Sequence, residues 1–108
     1  MENPFYGKTI QHTWTEGAFA GGSFKNSYRD DNSVSLECVA GAMKGVKAEQ
    51  KNFSARAIGK DLWLMSWLED SGYSVSIVFD FANKKVTGTI SKPAGEFYPV
   101  SGTIDSIN

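Results

Sequence analysis

The clearest pattern in the chain is an alternation along residues 62–69, where Trp63, Met65, Trp67 and Glu69 occupy every second position. Alternate side chains of a β-strand share one face, so this strand would place two indoles, a thioether and a carboxylate on one surface. The intervening positions are mostly leucine, so both faces are largely apolar. The carboxylate that ends this stripe lies either at a solvent rim or in a pocket, where burial would raise its pKa.

Comparable alternation, interrupted by turn residues, predicts eight strands at roughly ten-residue spacing. The predicted strands cover residues 8–14, 18–28, 33–39, 53–57, 62–69, 73–81, 85–91 and 97–104. The pair Gly21-Gly22 suggests a bulge or a sharp bend inside the second strand. The turn before the third strand is predicted over residues 29–32. No helix is predicted over residues 43–52, because that segment has a glycine and no apolar stripe.

Short strands joined by turns are typical of a β-sandwich or a closed barrel. A meander of about eight antiparallel strands with alternating apolar residues favours the barrel, because closure leaves no exposed edge. A small barrel is either filled by its own side chains or holds one small ligand. The interior position of Gly88 makes a cavity plausible. We therefore predict a single all-β, antiparallel, meandering barrel domain over residues 1–108.

Length and composition narrow the function classes. The chain has 108 residues, 41% hydrophobic and 21% charged, with a formal net charge of -1. These values suit one globular domain and give no electrostatic footprint for nucleic acid or an anionic membrane. The N-terminus has no basic segment followed by an apolar run, and no stretch is long enough to span a bilayer. We expect a cytoplasmic protein without nucleic-acid or membrane partners.

Metal and thiol chemistry have little support in the sequence. Cys38 and His12 are the only residues of their types, so no cysteine and histidine spacing predicts a zinc site. Cys38 shares a predicted strand face with Val34 and Leu36, and we interpret it as a small buried hydrophobe. We predict no metal and no cofactor.

Several segments resemble a known family. Ser-Trp-Leu-Glu-Asp-Ser-Gly at 66–72, with the strand at 86–89, resembles the phenolic acid decarboxylases, and the resemblance extends upstream through 10–17 and 34–45. The end of the chain, from 80–83 through 93–97 to 101–103, is more similar to relatives of the molybdenum-cofactor biosynthesis protein F. Both groups are lipocalin-like (calycin) barrels. The resemblance implies the fold more specifically than an activity.

The decarboxylase site is not retained. Its two substrate-binding tyrosines correspond to His12 and Trp14, and its arginine corresponds to Val46, so only the glutamate, Glu69, is kept. The family's longer C-terminal region is also missing. Residues that act as a unit lose their effect together. The resemblance therefore does not predict a typical phenolic acid decarboxylase.

A different pair of polar residues faces the predicted interior. His12 and Glu69 would both point into the barrel, where an imidazole and a carboxylate could act as acid and base. The alternative is structural: a hydrogen-bonded core histidine and a solvated glutamate. The aromatic stripe likewise is either core or the wall of a ligand pocket. The predicted ligand-contacting residues are Trp14, Leu36, Val46, Met65, Trp67, Val75, Ile77 and Ile90.

Three functions follow from these observations. The first is a barrel that binds a small aromatic or apolar molecule, as the cofactor-biosynthesis resemblance allows. The second is a cofactor-independent lyase or isomerase that uses Glu69 and His12. The third is a dimerising structural module with a filled barrel. Leucines at 62, 64 and 68 would form an exterior apolar face, and decarboxylase relatives pair, so we expect a homodimer.

Overall fold

The computed structural model describes residues 5–29, 31, 33–50, 53–69 and 71–108. Part of the predicted turn at 29–32 lies outside these residues. Within the described residues, nine strands follow one another along the chain. They are β1 (Thr9–Glu16), β2 (Ser23–Tyr28), β3 (Val34–Ala40), β4 (Lys47–Gln50), β5 (Phe53–Gly59), β6 (Leu62–Leu68), β7 (Ser74–Asp80), β8 (Lys85–Ser91) and β9 (Phe97–Ile107).

All nine strands belong to one antiparallel sheet in the order β4-β3-β2-β1-β9-β8-β7-β6-β5. Strands β1 to β4 form one meander and strands β5 to β8 form another. Strand β9 joins the two meanders, because it pairs with both β1 and β8. Among the described residues, β4 and β5 are each paired on one side only. The sheet therefore curls into a nearly closed barrel, which confirms the predicted all-β antiparallel fold.

The structure contains one strand more than the eight that were predicted, and this additional strand is β4. Three of its four residues are exposed and only Gln50 is buried, so the segment carries no apolar alternation. Its pairing with β3, from Val34 opposite Gln50 to Glu37 opposite Lys47, holds it in the sheet. Pairing with a neighbouring strand, rather than its own side chains, makes this segment extended.

The predicted start of the second strand was wrong. Residues 17–22 form a pair of tight turns, with Ala20 N donating to Gly17 O and Gly22 N donating to Phe19 O. Gly17 and Gly21 have φ of 95° and 91°, a left-handed conformation that favours glycine. The chain therefore bends sharply here, β2 starts at Ser23, and its register with β3 shifts between Ser23 and Phe24.

The barrel core consists of the inward residues of these strands. Along β6, Trp63, Met65 and Trp67 are buried, as the alternation predicts, whereas Leu68 is 66% exposed. Phe5 covers the interior near the start of β1, with its ring 5.2 Å from the rings of both Tyr28 and Trp63. That end of the barrel is therefore filled by aromatic side chains.

Candidate functional site

A cavity of about 110 Å³ lies inside the barrel, away from Phe5. Its walls come from the inner faces of six strands and from the turns that follow β1, β3 and β6. Nine of the lining side chains are apolar and four are polar. The lining residues are His12, Trp14, Phe19, Phe24, Asn26, Leu36, Met43, Trp67, Glu69, Tyr73, Val75, Ile77 and Ile90.

His12 is a buried polar group of this cavity. It lies on β1 and is 3% exposed, with its ring 4.9 Å from Trp14, stacked 5.8 Å from Phe24 and edge-on 5.8 Å from Phe79. Its Nδ1 has no hydrogen-bond partner. Burial lowers the pKa of His12 to about 4, although the Asp105 carboxylate acts in the opposite direction. The imidazole is therefore neutral at pH 7.

Asn26 supplies a second unsatisfied polar atom. Its side chain is 2% exposed, and Nδ2 donates to the hydroxyl of Tyr28 at 3.1 Å, while Oδ1 has no partner. Asn26 pairs with Ile10 on β1, and His12 pairs with Phe24, so Asn26 and His12 are diagonal neighbours on adjacent strands. Side chains in that arrangement lie within reach of one small molecule.

Glu69 lies at the rim of the cavity, directly after β6. Its side chain is half-buried, and Oε2 accepts a hydrogen bond from Nε1 of Trp67 at 3.1 Å. The backbone around it forms a tight turn, because Glu69 N donates to Tyr73 O and Gly72 N donates to Glu69 O. The turn thus brings Tyr73 to the same rim. The carboxylate occupies a boundary between solvent and the apolar walls.

A small charged cluster lies beside Tyr73. Nζ of Lys92 is 5.6 Å from the centre of the Tyr73 ring and 5.7 Å from that of Tyr98, and it is 3.7 Å from Oε2 of Glu96. Hydrogen bonding to Tyr73 and then to Tyr98 raises the pKa of Lys92. These contacts pair the positive charge of Lys92 within the cluster, so Lys92 does not offer an unpaired charge to a ligand.

The structure brings most of the predicted site residues together. His12, Glu69 and six of the eight predicted ligand contacts line the cavity; those six are Trp14, Leu36, Trp67, Val75, Ile77 and Ile90. Met65 is fully buried in the core and does not line this cavity, and Val46 is 49% exposed in the turn before β4. Gly88 does not line the cavity either, so the missing side chain of this glycine does not create the cavity.

Five lining residues were missed by the sequence reasoning. Asn26 shares the parity of Phe24 and Tyr28, so the alternation of β2 contained a signal for its inward position. Phe19, Met43 and Tyr73 belong to turns, where no periodicity predicts the direction of a side chain. Their contribution depends on the three-dimensional packing of the turns over the barrel.

The described residues contain no group of three or more His, Cys, Asp or Glu side chains that could hold a metal ion. They also contain no helix that is long and apolar enough to cross a membrane.

These features define a class: a small, nearly closed antiparallel barrel with a mostly apolar internal cavity. The model of the MoaF-like family matches residues 8–105, and the chain belongs to this family. The barrel is similar to a crystal structure described as "a putative beta-lactamase from Burkholderia vietnamiensis", with a TM-score of 0.84 and 20% sequence identity over 97% of each chain. At this identity the likeness concerns the fold. No curated protein matches the sequence.

Proposed function

We propose that this MoaF-like barrel binds a small, uncharged molecule that combines a flat or apolar body with a hydroxyl or amide group. The observation that carries the proposal is the pair of buried polar atoms without partners, His12 Nδ1 and Asn26 Oδ1, on residues that line a mostly apolar cavity. A buried polar atom left unsatisfied costs about 1–3 kcal/mol. A ligand that supplies the missing hydrogen bonds would recover this free energy.

The charge of the site favours an uncharged ligand group. His12 is neutral at pH 7 because burial lowers its pKa to about 4, so it offers no cation to an anionic group at this depth. Transferring an unpaired charge into apolar surroundings is far more costly than transferring a hydroxyl or an amide. The cavity volume of about 110 Å³ is comparable to the roughly 150 Å³ engineered cavity that binds one benzene ring.

Phenol and toluene form a matched pair of probes, because they differ only in a hydroxyl and a methyl group. We expect calorimetry to show phenol binding about tenfold more tightly, since toluene leaves the buried polar atoms unsatisfied. Asn26→Leu should remove most of this preference while keeping the cavity apolar. Equal affinities for the two probes in the wild type, or an unchanged preference in a folded Asn26→Leu variant, would contradict the proposal.

The lining of the cavity does not support a serine β-lactamase activity in this chain. Serine β-lactamases pair a serine nucleophile with a lysine. None of the described residues that line the cavity is a serine or a lysine. The fold likeness therefore supports a barrel with a cavity rather than acyl transfer.

A second candidate is a cofactor-independent lyase or isomerase, which is supported by Glu69 and His12 lining the same cavity. Because burial lowers the pKa of His12 to about 4, its neutral imidazole is a weak base and would act mainly as a hydrogen-bonding group. Glu69 would then be the candidate for proton abstraction. The probe 5-nitrobenzisoxazole opens when a base removes its ring C–H proton and the N–O bond breaks. Glu69→Gln should slow this opening at least about tenfold if the carboxylate is the base. A wild-type rate no faster than that in acetate buffer would eliminate this candidate.

A further inference from the structure

A second, smaller pocket lies beside the main cavity. It has a volume of about 70 Å³ and is located between the turn that follows β1 and the turn that follows β3. Ala20 of the first turn and Ala42 of the second form part of its wall, and Cys38 of β3 contributes another part. These small side chains leave space at the turns, and both alanines are exposed.

Three side chains are shared by the walls of the two pockets: Phe19, Phe24 and Met43. Phe24 is partly buried and stacks on His12, and Met43 is 42% exposed. Side chains with exposed area change rotamer on a fast timescale, and methionine is especially adaptable. The division between the two pockets is therefore made by side chains that can move.

The backbones of the two turns are closely packed next to the small pocket. A Cβ atom added to Gly41 would lie 2.8 Å from Cα of Gly22 and 2.9 Å from the carbonyl oxygen of Gly21. The two turns therefore touch backbone to backbone. An expansion of the main cavity in this direction would occur through rotation of the shared side chains rather than separation of the turns.

We infer that the small pocket is a second subsite, which receives a second apolar ring of the ligand when Phe24 and Met43 move aside. The inference rests on the proposed function, because the first ring is held by the cavity that contains His12 and Asn26. The ligand class thereby becomes narrower: a two-ring aromatic molecule with one uncharged hydrogen-bonding group. Such a molecule would bury its second ring among Ala20, Ala42 and Cys38.

The test compares phenol with 2-naphthol by calorimetry. We expect the wild type to bind 2-naphthol about tenfold more tightly, because the second ring buries additional apolar surface. Ala42 is exposed and lines only the small pocket of the two, so Ala42→Leu should fill that pocket. The variant should lose the tenfold advantage of 2-naphthol and bind phenol within about twofold of the wild type.

A matched control is Ala94→Leu, because Ala94 is an exposed alanine in the turn between β8 and β9 and lines neither pocket. It should preserve the advantage of 2-naphthol. If Ala42→Leu fails to fold, Ala20→Leu fills the same pocket from the other turn. Alkylation of Cys38, the single cysteine, by iodoacetamide gives an independent readout: 2-naphthol should slow it and phenol should not.

The outcomes distinguish the two proposals. Phenol binding with no advantage for 2-naphthol, or an advantage that survives in both filled variants, overturns the second subsite and leaves the proposed function intact. If Ala42→Leu weakens the binding of phenol and of 2-naphthol equally, the second subsite is also overturned, because the substitution then affects the whole cavity. Binding of neither probe to the wild type overturns the proposed function and the subsite with it.

Discussion

His12 shows how one residue can link stability to the chemistry of the cavity. Its ring is enclosed by aromatic side chains, and its Nδ1 has no partner. The surroundings therefore favour the neutral imidazole and disfavour the imidazolium. The same burial that makes the site suitable for an uncharged ligand makes protonation of His12 unfavourable in the folded state.

This burial predicts a dependence of stability on pH. The pKa of His12 is about 4 in the folded protein and about 6.5 in the unfolded chain, so the unfolded chain binds more protons between these values. The free energy of unfolding should therefore fall as the pH decreases from 6.5 towards 4, by on the order of 3 kcal/mol over the whole window.

Urea denaturation at several pH values measures this effect, and His12→Phe is the matched variant. Phenylalanine keeps an aromatic ring among Trp14, Phe24 and Phe79 but cannot be protonated. The variant should lose clearly less stability than the wild type between pH 6.5 and pH 4. Parallel pH profiles for the two proteins would show that other groups cause the loss.

The inward position of Asn26 illustrates what the sequence could reveal at this scale. Alternation along β2 is sufficient to place Asn26 on the same face as Phe24 and Tyr28. Alternation does not predict that Tyr28 takes the amide nitrogen and leaves Oδ1 without a partner. That imbalance depends on the positions of individual side-chain atoms, which the pattern of apolar and polar residues does not contain.

At the scale of the elements, two glycines allow neighbouring strands to approach closely. A Cβ atom at Gly88 would lie 2.1 Å from the carbonyl oxygen of Ser76 and 2.7 Å from Cα of Ile77. One at Gly102 would lie 2.0 Å from the carbonyl oxygen of Thr13. Both contacts involve backbone atoms of the neighbouring strand, which no rotamer change can relieve. The glycines therefore allow tight curvature where β8 and β9 meet their neighbours.

Gly88→Ala should consequently destabilise the barrel by about 3 kcal/mol, at the upper end of the usual cost of overpacking. Thr89→Ala is the matched control, because Thr89 is the next residue of β8 and its side chain is exposed. Its effect should stay within about 0.5 kcal/mol. Urea denaturation midpoints measure both changes. A Gly88→Ala variant as stable as the control would contradict the steric role of this glycine.

The strands differed in how well their sequences predicted them. For β8 the predicted and observed ranges are the same, Lys85–Ser91. The ranges differ by one residue at the end of β6 and by one residue at each end of β7, because large apolar residues alternate there. The exposed strand β4 has no such signal, and its extended conformation comes from its pairing with β3. The alternation of apolar and polar residues indicates which strands have a buried face, and it misses a strand that is held mainly by backbone hydrogen bonds.

At the scale of the whole molecule, aromatic side chains pack near the edge of the sheet, where the barrel is not closed by backbone pairing. The sheet order ends at β4 and β5, and the ring of Tyr28 on β2 lies 5.5 Å from that of Phe53 at the start of β5. Tyr6 also contacts Phe53 edge-on at 6.4 Å. The meander could be predicted from the regular spacing of turns. The location of the incomplete closure could not, because it depends on which edge strands come together.

The exterior bears on the expected homodimer, which stays a prediction. Leu68 is largely exposed, whereas Leu62 and Leu64 are partly buried within the barrel's own surface. The leucines therefore form a smaller continuous apolar patch than three fully exposed side chains would.

The pairing of β9 with β1 has a consequence for the folding of the chain in time. It joins Ile10 to Ile107, almost the full length of the sequence, whereas β1 to β4 and β5 to β8 can form hairpins with strands that are near in sequence. Contacts between distant residues slow folding because a long loop must close first. During translation, β1 must wait for β9 to leave the ribosome. Until then the edge of β1 that β9 will cover is available to other strands, which makes this interval a period of risk for aggregation.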